Sequence, residues 1–251
     1  MTELPSLALY TVSGSLGMIA VVLGGLHRAL LRAGWSGAER RATVAVAAAV
    51  LVFWFAVTAA LAWLGAYRGG GDSLPTIQFG ILLPILAGAL LIWRSPTVSR
   101  VIDAVPQSWL VGVQFYRVLG AVFFVLWLAG SLPGLFALPA GLGDLAVGLL
   151  APLVAWRYAR APSVNAGTVL AWNTFGLADL VVAVATGFMT APSPFQVFAH
   201  DAPNVLIDAF PLVLIPVFLV TLSIVLHLAS LAKLRRAHAQ PSPSISAAAP
   251  S

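Results

Sequence analysis

The residues with the clearest chemical potential are a few charged and amide side chains inside long apolar runs. Arg117 lies about nine residues into the apolar run 108–130, and Gln114 precedes it by about one helical turn. A guanidinium at the centre of a membrane helix raises the free energy of insertion by about 2.5 to 3.5 kcal/mol. Such a residue normally faces other helices and has an acidic or polar partner. Arg117 is therefore the first candidate for a functional site.

Three aspartates are candidate partners of Arg117. Asp179 lies in the sixth apolar run, whereas Asp144 and Asp208 lie in the fifth and seventh runs, nearer the outer surface. A helical side chain leans toward the N-terminus of its own helix. Asp179 therefore leans toward the level of Arg117, whereas the two other aspartates lean toward outer water. We expect the primary ion pair to join Arg117 and Asp179.

These polar groups support two interpretations. In a structural role the ion pair fixes the register of the helices, and Asn173 and Gln114 add interhelical hydrogen bonds worth about 0.6 to 2 kcal/mol each. In a functional role the same groups line a polar cavity for a solute, an ion or a proton, because intramembrane ionisable groups often mark such pathways. The candidate binding residues of the functional interpretation are Gln114, Arg117, Asp144, Asn173, Asp179 and Asp208.

Cysteine and histidine define the cofactor expectations. The chain has no cysteine, which excludes disulfides, thiolate catalysis, iron–sulfur clusters and cysteine-based zinc sites. His27 and His227 lie near the cytoplasmic ends of the first and last runs, where both are expected to reach the lipid head groups. Axial ligation of a haem b by this pair is the alternative. Otherwise no cofactor and no metal is expected. The sequence also offers no nucleophile with an adjacent base, the arrangement that would indicate an enzyme.

The composition predicts a membrane protein. Of the 251 residues, 60% are hydrophobic and 8% are charged, whereas about a quarter of the residues in soluble domains are charged. The apolar residues form runs of about 20 residues, the length that a helix needs to cross a hydrocarbon core of about 30 Å. The predicted fold is all-α, a polytopic transmembrane helical bundle over residues 1–239 that the lipid bilayer surrounds. The seven runs cover roughly residues 5–31, 43–67, 75–93, 108–130, 138–157, 165–189 and 205–231.

The distribution of basic residues predicts the orientation. Eleven of the 13 Lys and Arg residues fall on one side of the predicted bundle, Arg68 falls on the other side, and Arg117 lies within a run. Because basic residues favour the cytoplasmic side, we expect the N-terminus outside and the C-terminus in the cytoplasm. The net charge of +5 therefore reflects topology, and no nucleic-acid partner is expected. The tail 240–251, rich in Pro, Ser and Ala, is predicted to be disordered.

The sequence leaves the activity open among several classes of membrane protein. The leading hypothesis is a small-solute or ion-handling, transporter-like protein with a polar cavity around Arg117 for a small-molecule ligand. The alternatives are a non-transporting sensor, a lipid- or quinone-binding module, or a structural subunit of a membrane complex. A haem protein or a membrane enzyme ranks last. The composition, rich in Ala and Arg with a single Lys, is typical of a GC-rich bacterial genome and favours the cytoplasmic (inner) membrane.

Overall fold

The described secondary structure is entirely helical. The computed structural model describes residues 3–69 and 76–239, and 81% of these residues are helical, with no strand among them. The helices are α1 (Glu3–Arg32), α2 (Gly37–Trp63), α3 (Ile77–Arg94), α4 (Pro96–Ala104), α5 (Gln107–Gly112), α6 (Val122–Leu128), α7 (Gly134–Arg160), α8 (Pro162–Thr190) and α9 (Thr221–Ala239). The all-α prediction is confirmed, and the tail 240–251 lies outside the described residues.

Seven helical stretches are long and apolar enough to cross a membrane. Five of them are α1, α2, α3, α7 and α8, and the other two are the composite stretches Gln107–Leu128 and Ile215–Ala237. In the last stretch 78% of the most apolar 18-residue window is buried, whereas the corresponding share in α2 is 6%. The last stretch is therefore the centre of the bundle, and α2 presents most of its surface to the outside.

The last stretch begins later than the sequence predicts. The apolar run was expected to be helical from residue 205, but residues 205–214 form turns and the helical stretch begins at Ile215. Pro203, Pro211 and Pro216 interrupt this region, and proline fixes φ and removes a backbone donor. Ile207, Leu212, Val213 and Leu214 are buried all the same, because they pack as a loop inside the bundle, whereas Val205 is exposed. Hydropathy alone does not separate these two arrangements.

Two of the long stretches depart from α-helical geometry. Val113–Ala121, between α5 and α6, is a 3₁₀ helix, and Ile215–Val220, which leads into α9, is a π-helix with Pro216 near its start. Their backbone hydrogen bonds join residues three or five positions apart instead of four, so the pattern changes where they meet α-helix. Carbonyl groups at such junctions can accept a side-chain donor in addition to a backbone one: the Leu119 carbonyl, for example, also accepts from the Val122 amide.

Two tyrosine hydroxyls supply donors to these irregular segments. Tyr10 of α1 donates to the Leu119 carbonyl of the 3₁₀ segment at 2.5 Å. Tyr116, within the 3₁₀ segment, donates to the Leu219 carbonyl of the π segment at 2.7 Å. These two bonds connect α1 to the 3₁₀ segment and the 3₁₀ segment to the π segment. The irregular segments are therefore held by side chains from outside their own helices.

The short helix α4 is fixed beneath the end of α9. Lys233 Nζ donates to the carbonyls of Ile102, Asp103 and Val105 at 2.6 to 3.3 Å. Arg236 forms an ion pair with the Asp103 carboxylate at 2.8 Å. A cation at a helix C-terminus satisfies the carbonyls that the last turn leaves without intrahelical partners. These contacts hold the end of α4 against α9, just before α5 begins at Gln107.

Removing the Tyr116 hydroxyl tests the connection between the two irregular segments. We expect Tyr116→Phe to lower the free energy of unfolding by about 0.5 to 1.5 kcal/mol, because the hydrogen bond to the buried Leu219 carbonyl is lost. The measurement is the thermal unfolding midpoint of the purified protein in detergent. Tyr158→Phe is the matched control, since the Tyr158 hydroxyl makes no hydrogen bond to any described residue. Equal midpoints for the two variants would contradict the prediction.

Candidate functional site

Arg117 is the centre of a buried ion cluster. Its side chain is 2% exposed, and Nη2 lies 2.7 Å from Asp144 Oδ1 on α7. The same Nη2 forms an ion pair with Asp179 Oδ2 on α8. Nε also donates to Asp144 Oδ1 at 2.7 Å, and Nη1 donates to the Gly176 carbonyl at 3.2 Å. Every nitrogen of the guanidinium therefore has an acceptor.

The structure pairs Arg117 with two aspartates where the sequence favoured one. The predicted contact with Asp179 is confirmed, whereas the expectation that Asp144 points to outer water is wrong. Helix α7 begins at Gly134 instead of near residue 138, so Asp144 lies about 15 Å along the helix axis from its start. That extra turn brings its carboxylate to the level of the guanidinium.

The cluster contains more acidic than basic groups. Two carboxylates face one guanidinium, and the one other ion pair among the described residues, between Arg236 and Asp103, joins α9 to α4. With both carboxylates ionised, the cluster has a net charge of −1. An uncompensated charge in a low-dielectric interior is strongly unfavourable. The arrangement is chemically suited to binding a proton or a small cation.

Each carboxylate has one oxygen that Arg117 does not use. Asp144 Oδ2 and Asp179 Oδ1 accept no hydrogen bond from any residue in the described part of the chain. The two carboxylate side chains are 10% and 8% exposed, respectively, so neither is completely sealed by protein. Neither oxygen has a donor among the described residues, although Asp144 Oδ2 lies against Gly120 and Asp179 Oδ1 lies against Gly143.

Two cavities adjoin Asp144. The larger has a volume of about 70 Å³ and reaches from Asp144 to Asp208, while the smaller, of about 20 Å³, lies beside Tyr10, Tyr116 and Arg117. A cavity needs about 10 to 15 Å³ to hold one water molecule. The larger cavity therefore has room for several water molecules or a small organic group. Its walls are mainly apolar and include Ile81, Phe123, Phe136, Phe188 and Ile207.

Asp208 lies at the other end of the larger cavity. The sequence predicted that Asp208 lies in a helix, but it belongs to the non-helical segment 191–214. Its Oδ2 accepts a hydrogen bond from the Gly69 amide at 2.7 Å. Burial raises the pKa of the Asp208 carboxyl above its usual value, whereas the bond from Gly69 and the positive charge of Arg68 oppose this shift. Asp208 therefore takes up a proton at a higher pH than an exposed aspartate does.

A second polar network lies on the other side of the cluster. His227 Nδ1 lies 2.9 Å from Asn173 Oδ1, while Asn173 Nδ2 donates to the Val169 carbonyl and to Ser230 Oγ. Because a carbonyl only accepts, the orientation of the Asn173 amide is fixed and His227 Nδ1 must be the donor. Gln107 Nε2 extends the network by donating to Ser230 Oγ at 2.6 Å. Four buried polar side chains thus follow one another through the bundle.

The predicted site residues fall into three groups. Arg117, Asp144 and Asp179 come together in the cluster, and Asp208 shares a cavity with Asp144. Asn173 lies in the second network. Gln114 bonds with Ser223 instead, because its Nε2 donates to the Ser223 carbonyl at 3.1 Å and its Oε1 accepts from the Ser223 hydroxyl at 2.7 Å.

The two histidines have different surroundings. His27 is exposed on α1, whereas His227 is completely buried. The expectation that both reach the lipid head groups is therefore wrong for His227, whose Nε2 has no hydrogen-bond partner in the described residues. The sequence contained a signal for its burial: Ser223, His227 and Ser230 recur at intervals of four and three, which places them on one face of a helix.

Gly176 allows His227 and Arg117 to approach α8. A Cβ at this position would lie 2.6 Å from His227 Cε1 and 3.3 Å from Arg117 Nη1. We expect Gly176→Ala to lower the free energy of unfolding by about 1 to 3 kcal/mol through overpacking, measured as the thermal unfolding midpoint in detergent.

Gly167→Ala on the same helix is the matched control. A Cβ at position 167 meets no atom within 4 Å, so alanine should leave the stability unchanged or raise it by up to about 1 kcal/mol through its helix propensity. A Gly176→Ala variant as stable as Gly167→Ala would show that the close approach at Gly176 is not needed.

Most of the bundle matches the model of one protein family. No curated protein and no solved structure matches the chain. The model of the family described as Domain of unknown function (DUF8737) matches residues 74–235. The matched region includes the ion cluster, Asp208 and His227, whereas α1 and α2 precede it. The chain belongs to the family described as Domain of unknown function (DUF8737).

Proposed function

We propose that this chain is a multi-pass membrane protein that handles a small cation or a proton at the cluster of Arg117, Asp144 and Asp179. The observation that carries the proposal is the second carboxylate, which gives the cluster more acidic than basic groups beside a cavity. A bound proton or cation removes the resulting charge imbalance. Arg117 is already occupied by two carboxylates, so the geometry favours this role over the anchoring of an anionic solute.

The irregular backbone near the cluster supports a role beyond packing. The smaller cavity is lined from one side by the 3₁₀ segment Val113–Ala121 and from the other by the π segment Ile215–Val220. Non-helical backbone at membrane depth is tolerated where it is buried in protein or lines a cavity. Many transporters bind substrates and coupling ions where their helices are discontinuous. The position of the two segments agrees with ion handling at this site.

The proposed orientation places the N-terminus outside, the C-terminus in the cytoplasm and the chain in the cytoplasmic (inner) membrane of a bacterium. Basic residues from several helices gather at one end of the bundle, where Lys233 and Arg236 contact α4 and Arg100 stacks 5.2 Å from the Trp35 ring centroid. Such an end favours the cytoplasmic side. In this orientation the larger cavity lies on the outer side of the cluster.

Single cysteines test the orientation, because the chain has no cysteine of its own. Ala202→Cys and Ala33→Cys change exposed residues in segment 191–214 and in the turn after α1, respectively. We expect a membrane-impermeant maleimide to label Ala202→Cys in intact cells and Ala33→Cys only after permeabilisation. The opposite pattern would invert the proposed topology, and labelling of both in intact cells would contradict it.

Charge displacement in proteoliposomes tests the proposed function. On a solid-supported membrane, rapid jumps in pH or in Na⁺, K⁺ or alkylammonium concentration should produce a transient current with the wild-type protein, because ion binding at the cluster moves charge. Asp144→Asn removes the excess carboxylate and should reduce this current to the level of protein-free liposomes. Asp103→Asn is the matched control, since Asp103 pairs with Arg236 away from the cavities.

Two outcomes would contradict the proposed function. The first is a folded wild-type protein that gives no current in any of these jumps, which would favour the sensor or structural-subunit hypothesis. The second is an Asp144→Asn variant whose current equals that of Asp103→Asn. Circular dichroism and gel filtration of each variant establish that a lost current does not come from a lost fold.

A further inference from the structure

We infer that the cavity between Asp144 and Asp208 binds a small organic cation with an apolar body, of which an alkylammonium ion is the simplest example. The inference rests on the proposed function of the same site and names the class of its ligand. It depends on three features of the cavity: the polar atoms that face it, the character of its walls, and the position of its two carboxylates.

The polar groups of the cavity are mainly acceptors. Asp144 and Asp208 line its two ends, and no basic residue is among the described residues that line it. Asp144 Oδ2 accepts no hydrogen bond from a described residue, and the buried Gln78 Oε1 has no partner there either. A buried acceptor without a donor is unfavourable by about 1 to 3 kcal/mol. A ligand with N–H donors and a positive charge can satisfy such an acceptor, whereas an anion cannot.

The walls of the cavity favour an organic cation over a metal ion. Phe123 and Phe136 line it with their ring centroids 5.2 Å apart, and Phe188 adds a third ring. Aromatic faces attract ammonium groups and also bury alkyl surface. A metal ion requires several ligands at short distances, and the described residues contain no group of three acidic, His or Cys side chains that could hold one.

The cavity lies beneath segment 191–214, which closes the bundle at this end. Asp208 and Ser193 of this segment line the cavity, and backbone bonds from Val197 to Met189 and from Asn204 to Thr190 fix the segment to the end of α8. In the proposed orientation a cation from the outer side reaches Asp208 first and Asp144 last. Asp144 belongs to the ion cluster, so a cation that reaches it neutralises the excess negative charge of the cluster.

Three probes with the same apolar chain test the inference. We expect n-butylammonium chloride to bind the purified wild-type protein at neutral pH in isothermal titration calorimetry, and n-butanol and sodium butyrate to bind far more weakly or not at all. Asp144→Asn should weaken n-butylammonium binding by at least about tenfold, because a buried charge loses its counter-charge. Asp103→Asn should bind it as the wild type does.

A cavity-filling variant tests whether n-butylammonium binds in this cavity without removing the charge of Asp144. Ala183 lines the cavity, so Ala183→Leu reduces the space without changing a charge and should weaken n-butylammonium binding. Binding unchanged in Ala183→Leu, or butanol or butyrate binding as tightly as n-butylammonium, would overturn the inference. If the wild-type protein does not bind n-butylammonium but still gives the currents, the inference is overturned and the proposed function stands. If the wild-type protein shows neither binding nor currents, the inference and the proposed function are both refuted.

Discussion

The burial of the Arg117 guanidinium is the constraint on which the rest of the structure depends. A buried cation must find acceptors inside the protein, because its charge is costly in a low-dielectric interior. Its carboxylate partners come from two different helices, so α7 and α8 both have to approach the 3₁₀ segment closely. Glycine makes this possible: a Cβ at position 148 would lie 2.9 Å from the backbone nitrogen of Val118. The glycines of α7 and α8 are therefore part of the ion cluster's geometry.

The same constraint explains how the irregular segments relate to the centre of the bundle. The 3₁₀ segment carries Arg117 toward the carboxylates and Tyr116 toward the π segment of the last stretch. Tyr10 on α1 closes the other side by bonding to Leu119, and it lines the smaller cavity as well. Helix α1 lies outside the matched family region, yet it supplies a hydroxyl that the central site uses. The enclosure of the site is thus completed by a helix that precedes the matched domain.

Hydropathy was enough to predict the seven long helices, and the side-chain lean of a helix was enough to pair Arg117 with Asp179. The depth of Asp144 could not be derived, because it depends on where α7 begins, and the start at Gly134 follows Pro133 instead of a change in hydropathy. The 3₁₀ and π segments have no signature in the apolar pattern. His227 was assigned to the interface from its place near the helix end, although its neighbours Ser223 and Ser230 already marked a polar face.

The second carboxylate, Asp144, is the feature on which the proposal of ion handling rests. One aspartate would neutralise Arg117 and fix the register of two helices. Adding Asp144 to the pair of Arg117 and Asp179 gives Arg117 Nε an acceptor, but it also brings another desolvated charge without another basic group. In the proposed function, a proton or cation that arrives from the cavity lined by Asp144 offsets this charge. The charge imbalance is, in this proposal, half of a binding site whose other half is the ligand.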